Sequence, residues 1–245
     1  MTSAPNDASA GARAATERDQ RPRISAIVCD FGGVLTSPLI DAFLAVQNSI
    51  GIAPREFGAA LGELAARDGV NPLFELERGR MTEARFLSEL GAELTSALGR
   101  EVSIHGFGSS LLDELHPNTR MIEYMRELRT RGYRMAICTN NVREWEAQWR
   151  AKLPVDEIFE VVVDSAFVGS RKPDPEIYEL TLQRLGVDGE QSLFVDDMEL
   201  NCDAARELGM QAVRFQTTEQ AVEEIEAALA NEPNKMLRPE TGSSS

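Results

Sequence analysis

The second half of the chain alternates short apolar runs with amphipathic helical stretches, and this rhythm constrains the fold more than any other feature. Strands separated by helices are typical of parallel, doubly wound sheets. An earlier apolar run, Ile24–Phe31, stops at Gly32 and Gly33 and is typical of a strand buried on both faces of such a sheet. We therefore predict an α/β, Rossmann-like fold. Further strands are predicted at Tyr133–Cys138, Ile158–Val163, Ser192–Val195 and Gln211–Phe215.

The segment 38–115, between the first predicted strand and the others, contains no strand-like run. Its apolar residues recur at helical spacing, and Gly, Pro and Asn separate the stretches. We predict that residues 38–115 form an all-helical cap, inserted into a Rossmann-like core of residues 24–37 and 116–230. The helical stretches are Ile40–Ile50, Arg55–Arg67, Pro72–Arg78 and Thr82–Leu98, and Thr82 is predicted to be the N-cap of the last one.

The two ends of the chain differ in composition from the rest. Residues 1–23 are mainly Ala, Ser, Gly and scattered charge, and residues 231–245 finish in Gly-Ser-Ser-Ser. Segments with so few aromatic and aliphatic side chains cannot bury enough apolar surface to offset the entropy that is lost on ordering. We therefore expect both tails to be disordered.

The balance of charge limits the partners of this chain. Its 245 residues carry 25 Lys and Arg against 40 Asp and Glu, a formal net charge of −15. Such a chain repels phosphate backbones, so nucleic acid is not expected as a partner. No run approaches the roughly 18 apolar residues of a membrane span, no signal peptide is evident, and three separate cysteines do not suggest disulfides. We expect a soluble, cytoplasmic protein without a membrane partner, monomeric or homodimeric.

Polar residues follow the predicted strands at four places. Asp30 ends the first strand, Thr139–Asn141 follows the second, Lys172 lies on a later loop, and Asp196-Asp197 follows a further strand. In open α/β sheets, ligands bind beyond the carboxyl ends of the strands. We therefore expect these side chains to meet in one site.

The residue types at these positions suit phosphate chemistry with a divalent cation. Three carboxylates, on Asp30, Asp196 and Asp197, would repel one another if brought together, and a hard cation removes that penalty. Oxygen ligands in an open shell favour Mg²⁺. The hydroxyl of Thr139 and the ammonium of Lys172 would then supply contacts for phosphate oxygens. Lysine is scarce here, with three residues against 22 arginines, so its presence on this loop is notable.

These residues lie in four motifs: Asp30-Phe-Gly-Gly-Val-Leu-Thr, Ile137-Cys-Thr-Asn-Asn, Arg171-Lys-Pro-Asp-Pro-Glu-Ile-Tyr and Phe194-Val-Asp-Asp-Met-Glu-Leu-Asn. In this order they resemble the four motifs of the haloacid dehalogenase-like (HAD) hydrolase superfamily, and the likeness covers about residues 24–230. The segment 75–83 resembles that family's helical cap of the first type. The first motif also resembles the epoxide-hydrolase-like branch of the family.

The resemblance implies a mechanism. Asp30 would attack phosphorus in line and give an aspartyl-phosphate, which water then hydrolyses. Mg²⁺ would be held by the Asp30 carboxylate, the backbone carbonyl of Gly32 and Asp197. Asp196 would be a further ligand or a partner of the ligands, and Asn201 would orient the acidic pair.

The same resemblance assigns the phosphoryl group to other side chains. Thr139 and Lys172 would bind the transferring phosphoryl oxygens, and Asn140 would help to shape the pocket. The implied substrate is a small phosphorylated metabolite.

The position two residues after the nucleophile departs from the family pattern. The common phosphatase form has a second Asp there as general acid and base, whereas this chain has Gly32. General acid–base catalysis typically contributes ~10²–10⁴-fold. The leaving group could need little protonation, as an anomeric sugar hydroxyl or an acyl phosphate does. Alternatively, the cap or the substrate could supply the acid, with His105, His116 and the cap carboxylates as candidates.

Two other functions stay open. A metal-independent 2-haloacid dehalogenase-type hydrolase needs no acid, because a halide leaves without a proton, but dehalogenases usually carry small hydroxyl residues in place of Asp196 and Asp197. A non-catalytic binding or regulatory protein of the HAD fold would also explain Gly32. The acidic pair favours a Mg²⁺-dependent phosphatase, which is our prediction.

Overall fold

A five-stranded sheet forms the centre of the protein. The computed structural model describes residues 24–230. The strands are β1 Ala26–Cys29, β2 Arg134–Thr139, β3 Val161–Asp164, β4 Ser192–Asp196 and β5 Gln211–Arg214. All neighbours pair in parallel, in the order β3-β2-β1-β4-β5. The chain thus starts in the middle and builds outward on each side in turn, which confirms the predicted doubly wound α/β sheet.

Both faces of the sheet are buried. Along β1 the side chains alternate between two apolar clusters: Ile27 and Cys29 pack into one, and Ala26 and Val28 pack into the other. All four are at most 1% exposed. The apolar run at the start of the chain therefore forms a strand that is buried on both faces, as predicted.

The segment 38–115, which lies between β1 and β2, is helical, as the sequence predicts. Thr82 caps its longest helix, where its Oγ1 accepts a hydrogen bond from the backbone N–H of Arg85 at 3.3 Å. The last helix of the segment was not predicted. Its status as a cap domain, distinct from the core, stays a prediction. The helices are α1 Leu39–Ser49, α2 Pro54–Asp68, α3 Pro72–Glu77, α4 Glu83–Leu98 and α5 Phe107–Glu114.

Seven more helices follow in the described chain, and the longer ones cover the sheet. Among residues 24–230, no helix combines the length and apolarity that crossing a bilayer requires. The helices are α6 Thr119–Thr130, α7 Glu146–Arg150, α8 Val155–Ile158, α9 Ser165–Val168, α10 Pro175–Leu185, α11 Glu199–Glu207 and α12 Thr218–Ala230.

Strand β3 begins later in the structure than the sequence predicts. Ile158 ends helix α8, and the backbone N–H of Phe159 closes that turn on the carbonyl of Val155 at 2.8 Å. Ile158 and Phe159 are both buried, so the apolar run 158–163 predicts one strand, although Ile158 belongs to a helix and the strand begins only at Val161. Periodicity alone does not distinguish these two cases in a run this short.

The two connections between the sheet and the helical segment lie side by side. Thr36 and Pro117 form an isolated antiparallel bridge. The backbone N–H of Ser37 donates to the carbonyl of His116 at 2.7 Å, and that of Asn118 donates to the carbonyl of Leu35 at 2.9 Å. The predicted disordered tails, residues 1–23 and 231–245, lie outside the described residues.

Candidate active site

The predicted site residues converge at the carboxyl edge of the sheet. Asp30 directly follows β1, Thr139 is the last residue of β2, and Asp196 is the last residue of β4. Since β1 pairs with β2 on one side and β4 on the other, these three residues lie on neighbouring strands. The strand order reverses at β1, which is where a crevice for ligands opens in a doubly wound sheet.

Lys172 joins two of the carboxylates. Its Nζ lies 2.6 Å from Oδ2 of Asp196 and 2.9 Å from Oδ1 of Asp30, and the side chain is 1% exposed. Burial opposes the positive charge, but Asp196 and Asp30 more than offset it, so the pKa of Lys172 is raised above its usual value. The lysine is therefore a fixed cation at the base of the site.

The surroundings of Asp30 raise the pKa of its carboxyl group. Its Oδ1 accepts a hydrogen bond from the backbone N–H of Phe31 at 2.7 Å. Burial, and to a lesser extent the neighbouring charges of Asp196 and Asp197, outweigh the attraction of Lys172 and raise the pKa of Asp30 to about 7. A positive charge in addition to Lys172 would favour the ionised carboxylate.

Asp196 and Asp197 have different surroundings. Asp196 is completely buried, and its Oδ1 accepts hydrogen bonds from Asn201 Nδ2 and the backbone N–H of Met198, both at 2.9 Å. With Lys172 on Oδ2, both of its oxygens have protein partners. Asp197 is less buried, and burial together with Asp196 raises its pKa.

Three carboxylates could hold a cation. One oxygen from each of Asp30, Asp196 and Asp197 lies within 4.8 Å of the other two. Gly33 allows this approach, because its φ is +77° and a Cβ there would lie 2.6 Å from Oδ2 of Asp197. A Cβ on Gly32, in contrast, would have no atom within 4 Å. The space for the missing acid side chain is therefore open.

Asn140 positions the lysine loop. Its Nδ2 donates to the carbonyl of Lys172 at 2.9 Å, and its Oδ1 accepts from the backbone N–H of Lys172 at 2.7 Å. Both polar ends of the amide are thus used within the protein. Thr139 is 1% exposed and lines the same cavity as Asp30.

A cavity of about 620 Å³ extends from Asp30 to the helical segment. Sequence reasoning did not identify three polar residues in its wall: Glu77, Trp145 and Arg171. Arg171 Nε lies 2.5 Å from Glu77 Oε2, and its guanidinium lies 4.0 Å from the ring centroid of Phe74. Trp145 Nε1 donates to Glu83 at 2.8 Å. Arg171 is the first residue of the third motif, but no sequence signal indicates that Glu77 and Trp145 face this cavity.

The histidines considered as acids are not in the cavity wall. His105 lines a different cavity beside α4, and His116 is exposed near the connection between the sheet and the helical segment. Glu77 is the one carboxylate of the segment 38–115 in the wall beside Asp30. Burial raises its pKa despite the opposing charge of Arg171, which holds it in an ion pair.

The strand order and the charged residues at the carboxyl edge agree with the hydrolase class that the four motifs resemble. The chain belongs to the haloacid dehalogenase-like hydrolase family, whose model matches residues 24–209. It is therefore a hydrolase, as predicted.

Three curated relatives illustrate the similarity. The chain is 30% identical to acyl-CoA dehydrogenase family member 10 of Mus musculus over 83% of its length, and 27% identical to bifunctional epoxide hydrolase 2 of Rattus norvegicus over 80%. It spans 19% and 37% of those two proteins. It is also 30% identical to phosphatase MT3486 of Mycobacterium tuberculosis, over 77% of this chain and 86% of that protein.

Solved structures share the fold. A predicted HAD-like family hydrolase from Porphyromonas gingivalis is 25% identical, with a TM-score of 0.61 over 84% of this chain and 98% of that one. A HAD family enzyme from Bacteroides thetaiotaomicron, in complex with magnesium and inorganic phosphate, is 22% identical, with a TM-score of 0.56 over 80% and 96%. L-2-haloacid dehalogenase from Xanthobacter autotrophicus, with chloropropionic acid covalently bound, is 19% identical, with a TM-score of 0.56 over 83% of each chain.

Proposed function

We propose that this hydrolase is a Mg²⁺-dependent phosphatase of a small phosphorylated metabolite, acting through an aspartyl-phosphate on Asp30. The observation that carries the proposal is the grouping of Asp30, Asp196 and Asp197 around one buried lysine, Lys172. The proposal is also supported by the similarity of this chain to a mycobacterial phosphatase and to a solved structure of the same fold in complex with magnesium and phosphate. We further propose that the protein works in the cytoplasm, as a monomer or a homodimer.

The donor set fits magnesium. All three side chains offer carboxylate oxygens, which are the ligands that a hard cation prefers. Asp30 and Asp197 would hold the ion together with the backbone carbonyl of Gly32. Asp196 would contribute mainly by holding Lys172 and Asn201, because both of its oxygens already accept hydrogen bonds. When bound, Mg²⁺ would neutralise the carboxylates and the charge of the phosphate.

Asp30 and its neighbours have different roles in the proposed reaction. A carboxylate oxygen of Asp30 attacks phosphorus, the bond from phosphorus to the leaving oxygen breaks, and an aspartyl-phosphate forms. Water then attacks that phosphorus, which releases inorganic phosphate and restores the carboxylate. Lys172 and the hydroxyl of Thr139 bind the phosphoryl oxygens as charge develops. Asn140 keeps Lys172 in place through its two backbone hydrogen bonds.

The absence of an acid at Gly32 restricts the leaving group. Glu77 is the candidate from the helical segment, but its carboxyl group is held in an ion pair with Arg171 at 2.5 Å, even though burial raises its pKa, so it is committed to a protein partner rather than to a leaving oxygen. We therefore propose that the leaving oxygen is weakly basic and departs without a proton. An acyl phosphate or an aryl phosphate has such a leaving group.

The proposal is tested with 4-nitrophenyl phosphate, whose leaving group needs no proton. We expect Mg²⁺-dependent release of 4-nitrophenol that EDTA abolishes, and a loss of at least about 10⁴-fold in Asp30→Asn, because the nucleophile is removed. Asp41→Asn is the matched control: Asp41 is an exposed aspartate in the first turn of α1, so its replacement should leave the rate unchanged.

Two results would contradict the phosphatase proposal. Chloride release from 2-chloropropionate that persists in EDTA would identify a metal-independent dehalogenase. Failure to hydrolyse 4-nitrophenyl phosphate, acetyl phosphate and a panel of phosphorylated metabolites would identify a binding or regulatory protein.

A further inference from the structure

The cavity beside Asp30 has a strongly apolar wall on the side of the helical segment. Of the ten residues that this segment contributes, nine are apolar and the tenth is Glu77. They come from three helices, with Phe43 on α1, Phe74 on α3 and Leu111 on α5 among them. A substrate that reaches Asp30 through this cavity therefore meets mainly hydrocarbon.

Exposed apolar side chains cluster at the mouth of the cavity. Seven large hydrophobic side chains are clearly exposed within residues 24–230, and five of them line this cavity. Single exposed apolar residues are ordinary, but a cluster usually marks a surface that binds something. Both sides of the mouth contribute, since Met198 and Leu200 follow Asp197 on the side of the sheet. The other three are Leu39, Ile40 and Phe74.

Three polar side chains of the wall, those of Glu77, Asn140 and Trp145, already have partners within the protein. Glu77 binds Arg171, Asn140 binds the backbone of Lys172, and the indole N–H of Trp145 donates to Glu83. The hydroxyls of a sugar phosphate would lose water here without gaining these groups as partners, at about 1–3 kcal/mol for each unsatisfied group. The wall therefore disfavours a carbohydrate.

We infer that the substrate is a phosphate attached to an apolar body through a weakly basic leaving oxygen, as in an aryl or acyl phosphate with a hydrocarbon chain. The inference rests on the proposed phosphatase function and names its substrate class. A cavity of about 620 Å³ is far larger than a phosphate group needs, and lies in the range that encloses a drug-sized ligand.

The test is a series of 4-alkylphenyl phosphates, from phenyl to 4-hexylphenyl phosphate, assayed with Mg²⁺. The alkyl group adds apolar surface and leaves the basicity of the phenol nearly constant. Each buried methylene contributes about fourfold, so we expect kcat/KM to rise by at least about 100-fold across the series. Glucose 1-phosphate, whose leaving oxygen is also weakly basic, should be a poorer substrate than 4-hexylphenyl phosphate.

Two variants locate the effect at the mouth. Ile40 and Leu200 are 62% and 61% exposed, so the fold does not depend on their burial. Ile40→Asn and Leu200→Asn should each lower kcat/KM for 4-hexylphenyl phosphate by at least threefold more than for phenyl phosphate, roughly the value of one methylene. Val70→Asn is the matched control, because Val70 is 52% exposed and lies outside the cavity wall. It should alter neither rate.

The outcomes separate this inference from the proposed function. Mg²⁺-dependent hydrolysis that is independent of alkyl length, or that favours glucose 1-phosphate, overturns the substrate class and leaves the phosphatase intact. The absence of any hydrolysis contradicts the phosphatase. Binding of 4-hexylbenzylphosphonate at least tenfold tighter than benzylphosphonate would still support the apolar class in that case, and equal binding would overturn it. A dimer that Ile40→Asn dissociates, without a change in alkyl preference, would instead show that the mouth is a subunit interface.

Discussion

The carboxyl edge of the sheet and the helical wall across the cavity are held together in different ways. At the edge, Lys172 contacts two carboxylates, Asp196 uses both oxygens, and Asn140 uses both ends of its amide. In the wall, most side chains are apolar, and several are partly exposed. A change at the edge leaves a buried charge or donor without its partner, whereas a change at an apolar residue of the wall alters only shape and apolar contact.

This difference suggests a division of roles, in which the edge carries out the reaction and the wall selects the substrate. The edge residues belong to strand ends that the sheet fixes, so the reacting groups keep their geometry whatever substrate enters. The wall belongs to helices outside the sheet, and their side chains can change without disturbing the charged network. We expect substitutions in the two regions to differ in kind as well as in size.

The largest effect is expected for Lys172→Met. Removing the cation leaves Asp30 and Asp196 facing each other in a buried site, which should lower the free energy of unfolding by about 3–5 kcal/mol. Phosphatase activity should fall by at least about 10²–10³-fold, because a donor to the phosphoryl oxygens is lost. Urea unfolding and the 4-nitrophenyl phosphate assay measure the two effects.

Lys152→Met is the matched control for that experiment. Lys152 is the other lysine in residues 24–230 and is only partly buried, so both quantities should stay near wild type. A Lys172→Met protein as stable as wild type would show that the edge charges do not depend on one another, and the comparison would fail.

A smaller effect, confined to stability, is expected for Phe107→Ala. Phe107 is 5% exposed and stacks on Phe57 at a centroid distance of 5.4 Å, with Phe43 at 5.8 Å. Its loss should lower the free energy of unfolding by about 3–5 kcal/mol. The rate with 4-nitrophenyl phosphate, measured where the variant is folded, should stay within about threefold of wild type, because no hydrogen bond or charge is lost.

Phe167→Ala provides the comparison for Phe107. Phe167 is 45% exposed, so its truncation should cost about 1 kcal/mol or less. Phe107 packs behind the wall, against Phe43. If Phe107→Ala instead reduced the rate as severely as Lys172→Met, the helical side of the cavity would be part of the chemistry and the separation of the two regions would be wrong.

The smallest effect is a selective gain in Gly32→Asp. A Cβ at Gly32 meets no atom within 4 Å, so the first atom of an aspartate side chain can be added without a clash. The aspartate would restore the proton donor and raise kcat for hexyl phosphate, a poor leaving group, by about 10²-fold, with little change for 4-nitrophenyl phosphate. Gly32→Asn has nearly the same size but no acidic proton to transfer to the leaving oxygen, and it should show no gain. Equal changes for both substrates would argue against a missing acid.

The same division explains how much the sequence predicted. Asp30, Thr139 and Asp196 could be found because each follows an apolar strand, and parallel strands bring their carboxyl ends to one edge. Lys172 was found on its loop by the scarcity of lysine. For these residues, local pattern was enough to place them together.

The wall could not be predicted in this way. Whether Glu77 or Phe74 faces the cavity depends on how α3 packs against the sheet, and this depends on contacts far apart in the chain. No sequence signal places Trp145 at the cavity, yet it lines the cavity and its indole N–H donates to Glu83, 62 positions earlier in the sequence. Ile158 shows the same limit on a smaller scale, because a short apolar run fits a strand and a helical turn equally well.

The paired connections at Thr36 and Pro117 have a consequence for how such proteins diversify. The helical segment leaves the sheet and returns to it at nearly the same point, held by backbone hydrogen bonds that any sequence can make. Because its two connections to the sheet are adjacent, the segment can be lengthened, shortened or exchanged as one insertion in the gene. The strands on either side would keep their register, and the reacting groups would keep their positions. The inserted segment could meanwhile evolve specificity for new substrates.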